Sequence, residues 1–126
     1  MPNYRNAAAV YKKNSIETAS PARLTLMLYD GAIRFANTAL EGFDDNDYYK
    51  INTNIQRVED IIVEFRETLD MKYPVAKDFD QVYDYIYRRL VEANMQKDKA
   101  ILEEALGHIK TMRETWVKVM KANNVS

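Results

Sequence analysis

The sequence predicts an all-α fold: an antiparallel up-down-up-down four-helix bundle with an N-terminal arm. Three observations predict it. Apolar residues recur at alternating spacings of three and four along most of the chain, the mark of helices that bury one face. No stretch alternates with period two for long enough to build a sheet. Only three glycines and three prolines interrupt 126 residues, and the connections between periodic segments are short, which favours antiparallel neighbours.

Residues 1–19 form a polar, small-residue arm without a sustained period. The first helix, about 21–41, opens at Ser20-Pro21: serine caps the helix, and proline fits a first turn that needs no amide partner. Gly42 and the run Asp44-Asp45-Asn46-Asp47 end it and open the next. In the second helix, about 48–70, Ile51, Ile55, Val58, Ile62, Phe65 and Leu69 make a clean stripe. Pro74 opens the third helix, about 75–95, with Phe79, Val82, Tyr83, Ile86, Leu90 and Ala93 on one face. Asp98 caps the fourth, about 98–122, whose stripe runs Leu102, Ala105, Ile109, Met112, Trp116, Val119. Helices of this length span about 30 Å, and 1–126 reads as one domain.

The first helix is apolar almost all the way round. At about 100° per residue, Leu24, Met27, Leu28, Gly31, Ala32, Phe35 and Ala39 cover one face. Leu26, Tyr29, Ile33, Ala36 and Leu40 cover nearly the opposite one. Such a helix must lie inside the domain, under another piece of chain, or against a partner.

Composition excludes several function classes. Eighteen lysines and arginines nearly balance 19 acids, for a net charge of −1. With no basic run, the chain lacks the electrostatic footprint of a nucleic-acid binder. Absence of cysteine removes disulfides and thiolate ligands and fits a reducing compartment. The start, MPNYRNAAAVYKKN, is no signal peptide, and no run reaches membrane-spanning length, so we expect a cytoplasmic chain without direct membrane insertion. His108 is the only histidine, and Glu104 precedes it by four residues rather than in the Glu-x-x-His pattern of di-iron bundles. No phosphate loop, Ser-His-Asp set or HExxH motif is present. We expect no enzyme activity, no metal and no cofactor; the residues point to binding.

Three features offer a binding surface: the surplus face of the first helix, the tyrosines of YDYIYRRL, and the arm with its apolar anchors Val10, Tyr11 and Ile16. With Tyr83 facing the core, Tyr87 falls about 80° from the core centre and forms with Val91 a flanking stripe. Tyrosine supplies large contact area at low entropic cost.

The run Tyr11-Lys12-Lys13-Asn14-Ser15-Ile16-Glu17-Thr18-Ala19-Ser20-Pro21, followed by Leu24-Thr25-Leu26-Met27-Leu28-Tyr29-Asp30-Gly31-Ala32, resembles the start of the flagellin export chaperones, the FliS family. Tyr83-Asp84-Tyr85-Ile86-Tyr87-Arg88-Arg89-Leu90-Val91-Glu92-Ala93-Asn94 is similar to that family's third helix, and Trp116 fits as well. The link Met71-Lys72-Tyr73-Pro74-Val75-Ala76 departs from the Gly-Gly-Glu-like turn of many members.

The resemblance implies a cytoplasmic chaperone that wraps the disordered carboxy-terminal segment of flagellin, blocks premature polymerisation and serves the flagellar export apparatus. It implies no cofactor. For the client groove the expected residues are Leu26, Tyr29, Ile33, Tyr87 and Val91, apolar and off the main core stripes. Tyr11 and Ile16 would carry an arm that covers the groove and yields to the client. Asp30 and Arg89 fix either the bundle or the client backbone, ion pairing within the bundle being the simpler role. The rival reading is a homo-oligomeric helical scaffold, in which the same faces pair with copies of themselves.

Overall fold

The computed structural model describes residues 20–124. These form α1 (Pro21–Asp45), α2 (Tyr48–Glu67), α3 (Pro74–Gln96) and α4 (Lys99–Ala122), with no strand among the described residues. Each helix packs on its neighbours in the chain, and α4 closes back on α1. The result is an antiparallel four-helix ring, with α1 diagonal to α3 and α2 diagonal to α4.

Short polar signals set the helix ends. The Ser20 hydroxyl accepts the Arg23 amide at 3.1 Å, Asp47 accepts that of Lys50 at 3.0 Å, and Asp98 accepts those of Ala100 and Ile101. Each satisfies an amide that the first helical turn leaves unpaired. The first helix does not stop at Gly42. It runs to Asp45 and ends at Asn46, which takes the left-handed conformation at φ 53°, a geometry asparagine tolerates better than most residues. Gly42 serves contact instead: a Cβ there would stand 2.9 Å from Ile51 Cγ1 and 3.1 Å from the Ile51 amide nitrogen. α2 ends at Glu67 rather than near 70. The Thr68 hydroxyl turns back to the Glu64 carbonyl, and Asp70 accepts the Lys72 amide in a tight turn.

The stripes expected on α2, α3 and α4 form the core. Ile51, Ile55, Val58, Ile62, Ile86, Leu90, Leu102 and Ile109 are fully enclosed, each such side chain contributing about 1.5–3 kcal/mol. α1 answers with small residues: Ala32, Ala36 and Ala39 are the part of it that meets the branched side chains of α2 to α4.

The side of α1 that meets the core straddles the two expected faces, taking Ala32 and Ala39 from the first and Ala36, Tyr29 and Leu26 from the second. Tyr29, expected on an outer face, is 1% exposed, and Leu26 is 7% exposed, whereas Met27 is 39% exposed. Periodicity cannot choose between two apolar faces of one helix. Close packing chooses, because only the alanine line admits the neighbouring helices to contact distance. Among the described residues Asn54 is the one buried polar residue of the core, and its amide donates to the Lys50 carbonyl at 2.8 Å. No described helix is long and apolar enough to cross a membrane.

Candidate functional site

Polar or cation–ring contacts cross each of the four seams between helices. Between α1 and α4, Arg113 pairs with Asp30 and Lys99 with Asp44, and the Trp116 indole donates to the Ala22 carbonyl at 2.9 Å. Between α3 and α4, Glu104 accepts from Tyr85 at 2.7 Å and from Arg89 at 2.8 Å. Those two hydrogen bonds, the tyrosine's first, hold the Glu104 carboxyl below its ordinary pKa. Arg89 also pairs with Glu92. Asp30 and Arg89 thus both serve ion pairs within the bundle. Between α1 and α2, Arg57 lies over the Phe35 ring, and Lys50 pairs with Glu41 and Asp45.

The α2–α3 seam differs. Asn52, Glu59 and Arg66 recur every seven residues on α2, as do Asp80, Tyr87 and Asn94 on α3, so each trio keeps to one side of its helix. The outer rungs of this ladder are made. Asn94 donates to Asn52 at 2.7 Å, and Arg66 donates to Asp80 at 2.9 Å and to Asp84 at 3.2 Å. In that antiparallel register the middle rung sets Glu59 level with Tyr87, and no hydrogen bond joins them among the described residues. Both are half-buried. Val91 flanks them one turn further along α3, with Met95 beyond it at 80% exposure and Tyr48 at the start of α2 at 62%.

The expected groove residues therefore separate. Helical spacing places Ile33 on the side of α1 that carries Asp30 and Asp44, hence on the α1–α4 seam. Tyr87 and Val91 share the side of α3 with Asp80 and Asp84, hence the α2–α3 seam on the opposite flank. Leu26 and Tyr29 belong to the interior. Tyr11 and Ile16 lie outside the described residues.

Sequence reasoning missed a cavity of about 540 Å³ at the end of the bundle where α1 begins. Phe65, Leu69, Tyr73, Phe79 and Trp116 line it. Phe65 and Tyr83, both on its wall, have ring centres 5.3 Å apart, and Phe65 also stands 4.4 Å from the Tyr29 ring. The Tyr29 and Tyr83 hydroxyls share a hydrogen bond across the diagonal. Burial pushes both phenols above their ordinary pKa, so neither ionises near neutrality. The signal was present in the sequence as aromatic residues near the helix ends of α2 and α3, but spacing alone does not show that they meet.

A model of the family described as "Flagellar protein FliS" matches residues 3–123. The chain belongs to the FliS family. It is 34% identical over 118 residues to the flagellar secretion chaperone FliS of Bacillus subtilis, covering 94% of this chain and 89% of that one. Against the FliS of Vibrio cholerae the identity is 26% over 121 residues, covering 91% and 89%. Against that of Salmonella typhimurium it is 28% over 115 residues, covering 89% and 85%. FliS is a family of chaperones and not of enzymes, and the match spans all four helices.

Proposed function

We propose that this FliS-family chain is a cytoplasmic chaperone that holds the carboxy-terminal segment of flagellin and presents the subunit to the flagellar export apparatus. The observation that carries the reading is the α2–α3 seam: an apolar strip in which Tyr87, half-buried against the core, continues through Val91 to the exposed Met95 and Tyr48. A disordered amphipathic segment that folds on a partner needs such a strip, and main-chain order gained in the complex keeps affinity moderate and release feasible. Tyr87 and Val91 are the client contacts on this flank. Ile33 offers a second, smaller contact on the α1–α4 flank for a segment long enough to wrap the bundle. Leu26 and Tyr29 act from beneath as the wall that keeps α1 in place.

The arm reading fits the end cavity. Tyr11 and Ile16 belong to the stretch that precedes Ser20, and the cavity opens where that stretch joins α1. A cover held by two anchors is weak enough for a client to displace.

Light scattering on a sizing column tests the reading. A monomer that becomes a one-to-one complex when full-length flagellin is added supports it. A stable oligomer indifferent to flagellin contradicts it and favours the scaffold, in which Met95 and Tyr48 pair with copies of themselves.

A further inference from the structure

The seven-residue ladder between α2 and α3 has two closed rungs and one open rung, and the open one holds a carboxylate. Glu59 sits half-buried between Asn52 and Arg66, level with Tyr87 and next to Val91. Burial, and after it the neighbouring charge of Asp60, lifts its carboxyl pKa, so the free chain keeps this group charged at a cost. Two arginines of α2 and α3 are already engaged: Arg66 pairs with Asp80 and Asp84, and Arg88 with Asp84. No described residue supplies a countercharge to Glu59.

From this juxtaposition we infer that the seam selects a client segment carrying a lysine or arginine within its apolar stripe, seated on Glu59 with its stem across Tyr87 and Val91. The inference rests on the reading of the α2–α3 seam as the client site and adds what that site recognises. A carboxylate beside an aromatic face is a cation site twice over: the ion pair is partly desolvated, and the ring attracts the same charge. The aliphatic stem of the incoming residue covers Val91 in the manner of long basic side chains on apolar surface. A purely apolar client would bury Glu59 without a partner and bind poorly. The arrangement thus works as a filter as well as a contact.

Titration of the full chain and its Glu59→Gln variant with flagellin's carboxy-terminal segment tests this, using the natural segment and one with its lysines and arginines changed to glutamine. The natural segment is expected to bind Glu59→Gln at least tenfold more weakly than wild type. The neutralised segment is expected to bind Glu59→Gln at least as well as wild type, since only the wild type must then bury a carboxylate without a partner. At pH 7 the free variant should melt at or above the wild-type temperature, because it sheds an unpaired buried charge. Equal binding of the natural segment by both proteins would overturn the inference while leaving the client reading intact. A variant that melts well below wild type would overturn it too, by showing that Glu59 has a partner within the fold. Failure of the wild type to bind the natural segment at all would sink the client reading, and this inference with it.

Discussion

Across the contact of α1 with α2, a side chain is absent so that two helices can touch: Gly42 faces Ile51 with no room for a larger residue. Across the contact of α2 with α3, the same α2 meets its other neighbour through polar rungs, and apolar side chains remain half in solvent between and beyond them. One flank of α2 is spent on making the fold. The other holds its helices in register through asparagine and arginine pairs, which leaves Tyr87, Val91 and Met95 available. Small residues in close contact mark the first flank, whereas paired polar ends around the half-buried Glu59, Tyr87 and Val91 mark the second.

Substitutions can break or sharpen this contrast. The largest effect is expected at Gly42→Val, which drives a branched side chain into Ile51 and its backbone and should lower stability by about 3 kcal/mol. Gly107→Ala is its control. A Cβ at Gly107 meets nothing within 4 Å, so relief of glycine's entropy cost should raise stability by about 0.5–1 kcal/mol. Denaturant melts of the two variants in parallel check both signs.

Next comes Tyr29→Phe, which strands the buried Tyr83 hydroxyl and should cost about 1–2 kcal/mol. The double variant Tyr29→Phe/Tyr83→Phe should recover most of that loss, because removing both partners leaves no unpaired group. A double variant as unstable as the sum of its parts would mean that the two hydroxyls contribute independently and not through each other.

The smallest stability effect is expected from Arg66→Ala on the open flank. Its ion pairs are about two-thirds buried on the arginine side and less so on the acids, and pairs of this kind contribute under about 1 kcal/mol. The loss should shrink further in high salt. A cost of several kcal/mol would make the seam as structural as the α1–α2 contact and erase the contrast.

How much of this was legible in the sequence follows from how local each cause is. Ser20, Asp47 and Asp98 announce helix starts because a cap acts on amides two or three residues away. The stripes of α2 and α3 could be read because each helix has one apolar face. Tyr29 was misplaced because α1 has two and its core side straddles them, centred on alanines that meet branched residues of other helices. Asp30 with Arg113, and Asn52 with Asn94, join positions far apart in the chain, so no spacing rule finds them. Tyr87 and Val91 were rightly set off the core stripe by angle alone. That Ile33 lies on the opposite flank needed the ring order of the helices.

Calorimetric titration of flagellin's carboxy-terminal segment into the wild type and the Tyr87→Ala/Val91→Ala variant, with melting curves of both, tests the central claim most directly. We predict binding weakened at least tenfold, with helical content and melting temperature nearly unchanged. Undiminished affinity, or a collapse in melting temperature, would contradict the account by placing those two side chains outside the client site or inside the core.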